Sequence, residues 1–214
     1  DVIVIPVNDA PVLTEIGSQE TDEDTPLVLT LEASDVDEDN LTFSAESSNE
    51  SVAVSVAGDQ LTMTPVLNYN GSVNITVAVS DGFLTDSETF ELTINPVNDA
   101  PTIALPESFT FDEDGSLTED FSGYLNDIDE DALTLTVTGE EDITISIDGF
   151  EVTFGAVQDW NGEEILTFTV NDNQGRAIAS DDVDVIVTPV NDAPILTEIG
   201  NQETEENTPL VLTL

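Results

Sequence analysis

The sequence predicts an all-β chain built of tandem seven-stranded antiparallel β-sandwiches. Three observations lead there. Val, Ile and Thr make up 64 of the 214 residues, the composition of half-buried strands. Apolar residues recur at every second position, the period of a strand and not of a helix. The hexapeptide PVNDAP stands at 6–11, 96–101 and 189–194, at spacings of 90 and 93 residues, and one such interval is the size of one sandwich domain.

The hexapeptide also sets the expected boundaries. Residues 1–11, which match the run DVDVIVTPVNDAP at 182–194, read as the last strand and linker of a preceding repeat. Residues 12–95 are repeat 1, 96–101 a linker, 102–188 repeat 2, 189–194 a second linker, and 195–214 the opening strands of a truncated third repeat. Segments 6–31 and 189–214 agree at 22 of 26 positions. The middle copy is far more diverged, so the parent array is expected to alternate two repeat types.

Within repeat 1 the strands follow Leu27, Leu29 and Leu31; Val52, Val54 and Val56; Leu61 and Met63; Val73, Ile75, Val77 and Val79; and Phe90, Leu92 and Ile94. Repeat 2 gives Leu133, Leu135 and Val137; Ile143, Ile145 and Ile147; Phe150, Val152 and Phe154; Leu166, Phe168 and Val170; and Val183, Val185 and Val187. Adding the strand after each linker brings each repeat to about seven short strands, separated by Asp, Asn and Gly. Tyr69 and Trp160 sit at matching places and read as packing residues.

Charge excludes several functions. There are 47 Asp and Glu against one basic residue, Arg176, with no His and no Cys, for a formal net charge of -46. Such a surface cannot neutralise phosphates, so nucleic acid and anionic membranes are poor partners. A Ser-His or Cys-His nucleophile pair and a lysine Schiff base are absent. Zinc, haem and iron-sulfur sites lose their usual ligands. No apolar run approaches the ~18 residues of a membrane span, and no basic n-region marks a signal peptide. Oxygen ligands remain, and they suit a hard cation such as Ca2+.

The acids concentrate where strands end: TDEDTP at 21–26, SDVDEDN at 34–40 and VSDG at 79–82, then FDEDGS at 111–116, NDIDEDA at 126–132, QDWNG at 158–162 and VNDNQG at 170–175. Two unit charges ~4 Å apart repel by about 4 kcal/mol at an effective dielectric near 20, so converging carboxylates call for raised pKa values or a bound cation. The runs at 35–39 and 127–131 are not EF-hand loops, because Asn40 and Ala132 occupy the Gly position and strands flank both.

These motifs, in this order and twice over, carry a family resemblance. EDTP, the Asp-x-Asp run, VAVSDG and the PVNDAP linker together resemble cadherin repeats, and more closely the cadherin-like tandem repeats of large, type-I-secreted bacterial adhesins and matrix proteins. The resemblance implies a cadherin-like or immunoglobulin-like Greek key. It also implies calcium held at each junction by two neighbouring repeats and the linker, stiffening the array. The implied ligands at the N-terminal junction are Asn8, Asp9, Asp35, Asp37, Asn40 and Asp81. At the central junction they are Glu23, Asn98, Asp99, Asp127, Asp129 and Asp172, with Asn68 and Asn70 standing where the cadherin pattern has acids. At the C-terminal junction they are Glu113, Asp159, Asn161, Asn191 and Asp192. The missing acids at 68 and 70, and Ala132 in place of Asn40, point to one or two ions per junction and to affinities of roughly 10⁻⁴ to 10⁻³ M.

The expected function is therefore non-enzymatic. The segment reads as a calcium-rigidified structural extender of an extracellular, secreted bacterial adhesin, holding distal binding domains away from the cell. Its partners are calcium and neighbouring repeats, with homophilic, host or biofilm-matrix contacts made through other domains. A carbohydrate- or protein-binding β-sandwich that takes part in adhesion directly is the alternative. Purely solubilising acidity would scatter acids over outward strand positions, which instead carry Asn74, Thr76, Ala78 and Ser80. Two-carboxylate glycoside hydrolysis would need a cleft-forming insertion that a 90-residue repeat has no room for.

Overall fold

A computed structural model of the chain describes residues 3, 7–175, 178–196 and 198–212. The strand expected within residues 1–11 falls largely outside these, as does Arg176. The chain divides into two compact units, one of residues 1–102 with 126–133 and 171–179, the other of 103–125, 134–170 and 180–214.

The first sandwich is built from nine strands: β1 (Val12–Leu13), β2 (Gln19–Asp22), β3 (Leu27–Thr30), β4 (Ala33–Ser34), β5 (Thr42–Ser47), β6 (Val52–Ala57), β7 (Gln60–Pro65), β8 (Gly71–Ser80) and β9 (Thr85–Asn95). Four form one sheet in the order β2-β9-β8-β5, three form the other in the order β3-β7-β6, and β1 pairs with β4 in a short ribbon. The period-two pattern accounts for the core. Leu61, Met63, Val73, Ile75, Val77, Val79, Phe90, Leu92 and Ile94 are all buried, with Leu27, Leu29, Val54 and Tyr69 half-buried against them. Register follows from this alternation, since a one-residue slip would turn each apolar set outward. Leu27 lies opposite Met63 and Leu29 opposite Leu61, while Val73 faces Leu92 and Ile75 faces Phe90.

The second sandwich repeats the plan with β10 (Thr102–Ile103), β11 (Ser108–Asp112), β12 (Leu117–Asp120), β13 (Leu125–Asn126), β14 (Thr134–Thr138), β15 (Ile143–Asp148), β16 (Glu151–Ala156), β17 (Gly162–Asn171) and β18 (Ile178–Thr188). Its sheets run β11-β18-β17-β14 and β12-β16-β15, beside the ribbon β10-β13.

Each sandwich departs from an all-antiparallel arrangement at one edge. β2 pairs parallel with β9, and β11 pairs parallel with β18. The cause is strand parity. When seven strands alternate in direction, the first and seventh point the same way, so they are parallel when they become neighbours.

Two features were not read from the sequence. A 3₁₀ turn at Phe121–Tyr124 follows Asp120, whose carboxylate caps the Ser122 amide at 2.9 Å. That bond is the first cause holding Asp120 below the ordinary carboxylate range. The turn inserts Phe121, fully buried, among Phe109, Phe154 and Phe168 at centroid distances of 5.6, 6.2 and 4.8 Å. The buried core of repeat 1 is mostly aliphatic, with Phe90 as its buried ring.

The other feature is a row of acids on the inward register of the last strands. Along β9 the inward positions run Asp86, Glu88, Phe90, Leu92 and Ile94. Asp86 accepts the Leu13 amide at 2.9 Å and Glu88 that of Ile16 at 3.0 Å. Asp181 of β18 likewise accepts the Leu105 amide at 2.8 Å. The opening segment of each repeat passes over the sheet without joining it, so its amides need acceptors there.

Replacing Phe121 with Ala removes a fully buried ring that touches four others, Tyr124 included, and leaves a cavity. Urea unfolding is expected to show a loss of about 3–5 kcal/mol.

Candidate metal centre

Three carboxylates are buried among the described residues: Glu23, Glu113 and Asp172. Charge removed from water is costly unless it finds partners, and each of these finds neutral ones. Glu23 Oε1 accepts the Val97 amide at 2.5 Å, and Oε2 accepts Asn70 Nδ2 at 3.4 Å. Glu113 reproduces the pattern, with the Val190 amide at 2.5 Å and Asn161 Nδ2 at 3.0 Å. Asp172 accepts Asn98 Nδ2 at 2.7 Å and the Gln174 amide at 2.9 Å. In each case a linker residue is tied to a loop by a bond whose acceptor is a carboxylate.

The loops are built alike. In 35–39, Asp35 accepts the Asp37 amide at 2.8 Å, and Asp37 accepts the Asp9 amide at 2.8 Å. In 127–131, Asp127 accepts the amides of Asp129 and Asp131 at 3.0 and 3.2 Å, and Asp129 accepts the Asp99 amide at 2.7 Å. Asn8 Nδ2 donates to Asp81 at 2.8 Å, as Asn98 does to Asp172. Asp81 also accepts the Phe83 and Leu84 amides at 2.6 and 2.7 Å. Glu38 and Glu130 follow with φ near +60°, which folds each Asp-x-Asp run back on itself.

Four sets of carboxylates converge, each with ligand-capable oxygens within 4.8 Å of one another: Asp35, Asp37 and Asp39; Glu23, Asp99 and Asp129; Asp127, Asp129 and Asp131; and Asp114, Asp159 and Asp192. Three oxygens inside them are buried and without a hydrogen-bond partner: Asp35 Oδ2, Asp99 Oδ2 and Asp127 Oδ2. A carboxylate oxygen shut off from water and from donors is what a hard cation would satisfy, and carboxylates with amide and backbone oxygens are its ligand set. The residues present therefore fit calcium.

The sequence expectation thus names members of all four sets. Asn40 lies exposed in the 35–40 loop, and the Asn191 side chain turns to the Asp192 carbonyl at 3.0 Å. Asn68 enters through its backbone amide, which donates to Asp24 at 2.8 Å; Asp159 does the same to Asp114 at 3.2 Å. Sequence reasoning missed Asp24, Asp39, Asp114 and Asp131. The signal for Asp24 and Asp114 was their place as the third residue of the Asp-Glu-Asp triplet. Both have φ near +60°, the left-handed conformation that Asp tolerates.

Electrostatics follow the geometry. Burial first, then the carboxylates of Asp129, Asp24, Glu23 and Asp127, hold Asp99 above the ordinary carboxylate range. Asp159 first, then burial, Asp114 and Glu113, raise Asp192. The Asn98 amide and then the Gln174 backbone lower Asp172, and Asn8, Leu84 and Phe83 lower Asp81. Repulsion thus falls on the linker aspartates Asp99 and Asp192, while hydrogen bonds hold Asp81 and Asp172 below the ordinary range.

Comparison with known families places these features. Residues 7–95 match the model of the cadherin-like domain, and residues 98–188 match that of the bacterial Ig domain. Two matches in tandem, cadherin-like and then bacterial Ig, thus cover most of the chain. Among solved structures it is similar to human protocadherin-24 EC1-2, at 18% identity over 86% of this chain and 100% of that one, with a TM-score of 0.55. It also matches an endo-fucoidan hydrolase of glycoside hydrolase family 107 at 20% identity and a TM-score of 0.39. There it covers 88% of its own length but spans only 30% of the hydrolase. No curated protein sequence matches it. The cadherin-like and Ig-like tandem is of a kind typically extracellular and non-enzymatic. No helix among its described residues is long and apolar enough to cross a membrane.

A raised carboxylate binds its proton more tightly in the folded chain than in the unfolded one. Relative to neutral pH, Asp99 and Asp192 therefore leave the fold more stable in acid, an advantage lost as pH rises from the ordinary value of 3.8 through their folded values. Asp81, Asp120 and Asp172, being lowered, contribute stability above 3.8 that is lost on acidification. In chelator at neutral pH, Asp99→Asn is expected to raise the thermal midpoint. It should also flatten the fall in stability on going from mildly acidic to neutral buffer.

Proposed function

We propose that the tandem is a calcium-rigidified extender segment of a large extracellular bacterial adhesin, secreted through a type I channel and holding distal binding domains away from the cell. The observation that carries this reading is the trio of buried, unpartnered oxygens on Asp35, Asp99 and Asp127. They lie where the linkers meet the acidic loops, the places at which a shared cation does mechanical work.

The residues act as follows. Glu23 and Asp172 hold the linker through Val97 and Asn98, while Asp99 is brought among Glu23 and Asp129. With calcium bound, Asp99 is neutralised and the linker is braced against the loops at 126–133 and 171–179. Calcium supplies only charge compensation and coordination; the protein side chains supply the bracing. Each occupied site adds about 2.7 kcal/mol at a hundredfold excess of ion over its dissociation constant. Adhesion itself, to a host surface, a matrix or another copy, belongs to other domains of the parent protein.

Thermal unfolding in chelator, millimolar calcium, millimolar magnesium and matched sodium chloride tests the proposal. Calcium alone is expected to raise the midpoint markedly. The double variant Asp127→Ala, Asp129→Ala should lose most of that rise while keeping the far-UV signature of both sandwiches. An equal rise with sodium chloride would reduce the acids to a screened, solvating surface.

A further inference from the structure

The chain contains two Asn-Gly pairs, Asn70-Gly71 and Asn161-Gly162. Both occupy the same place in their repeats, and both abut a buried glutamate. Asn70 Nδ2 donates to Glu23 Oε2 at 3.4 Å, and Asn161 Nδ2 donates to Glu113 Oε2 at 3.0 Å. Both asparagines are exposed and lie one residue before β8 and β17, outside the strand ladders.

The structure explains why Gly follows each of them. Gly71 has φ +135°, a backbone conformation that L side chains rarely adopt. At Gly162 an added Cβ would stand 2.8 Å from the Trp160 ring, which packs against the core of the second sandwich. Packing and backbone conformation therefore impose the residue that leaves the preceding asparagine most open to attack, since glycine puts no side chain beside its own nitrogen.

We infer that Asn70 and Asn161 are sites of spontaneous deamidation that install an additional carboxylate beside the buried glutamate of each repeat. The Gly71 backbone nitrogen attacks Asn70 Cγ; the N–Cγ bond forms, the Cγ–Nδ2 bond breaks, and the glycine amide proton leaves with the departing ammonia. Water then opens the succinimide at either carbonyl, giving an aspartyl or an isoaspartyl residue. The same steps apply at Asn161 and Gly162.

The product exchanges a hydrogen-bond donor for an acceptor within reach of Glu23 or Glu113. Without a cation, two carboxylates face each other where an amide faced one. With a divalent cation, the new carboxylate adds to the ligand set. The chain thus becomes more dependent on the cation as it ages. The modification rests on the dipeptides and their surroundings alone, whereas its effect on cation response rests on the calcium reading above.

The test has two arms. The full chain is aged in mildly alkaline buffer with chelator and then mapped by mass after digestion with a Glu-specific protease, since a single Arg makes tryptic mapping uninformative. Deamidation is expected at 70 and 161 ahead of Asn49, Asn74 and Asn126. Equal or faster reaction at those other asparagines would overturn the assignment. In the second arm, the double variant Asn70→Asp, Asn161→Asp is compared with the parent by thermal unfolding. It should melt lower in chelator and gain more on adding calcium. An equal gain in both proteins would sink the proposed link to the cation. If neither protein responds to calcium, the extender reading fails, while the mass map still decides the modification.

Discussion

A carboxylate buried at the head of each sandwich is the constraint on which the rest depends. Glu23 and Glu113 are almost wholly removed from water, yet their partners are a linker amide and an asparagine side chain, all neutral. A charge so placed is tolerated only where donors are aimed at it or a cation lies near. The linker must therefore pass over it, so that Val97 or Val190 can donate. Once the linker is fixed there, the next residues, Asn98 and Asp99, fall against the loops at 127–131 and 172–174.

This arrangement accounts for the distribution of acidity better than solubility does. One oxygen each of Asp35, Asp37, Asp127 and Asp129 accepts a backbone amide, which orders the loops before any ion arrives. The linker residues Asp99 and Asp192 are left in surplus, and their proton affinities rise accordingly. Preorganised ligands with residual repulsion favour binding a cation, because little ordering entropy remains to oppose it. Repeat 2 keeps an acid, Asp159, where repeat 1 has Asn68, and there Asp159 joins Asp114 and Asp192.

Much of the fold was legible because both sandwiches bury one face of every long strand, and that face prints period two directly on the chain. Leu61 and Met63, Val73 to Val79 and Leu166 to Val170 are all buried at the alternation expected. The acidic loops were legible because they recur. What escaped was set by partners distant in sequence. Asp86, Glu88 and Asp181 take their roles only from the amides of Leu13, Ile16 and Leu105, which donate to them. Phe121 lies in no alternating run, and only the aromatic cluster of the second core gives it a role. The parallel edges follow from which strands become neighbours, and no local pattern encodes that.

The duplicated segment separates the two kinds of information. Residues 6–31 and 189–214 are nearly the same sequence, and both form the same turn: Thr21 Oγ1 donates to the Thr25 carbonyl at 2.9 Å, and Thr204 Oγ1 to that of Thr208 at 3.0 Å. Asp24 and Asn207 share the left-handed backbone conformation. Yet 12–30 carries three strands, while the described residues of 195–212 carry none and stand exposed. The sequence by itself determined the turns, the alternation and the placing of acids, which depend on contacts a few residues apart. The tertiary structure decided whether that alternation becomes a strand, because β2 exists only beside β9 and β3 only beside β7, and a strand without a neighbour leaves its backbone hydrogen bonds to water.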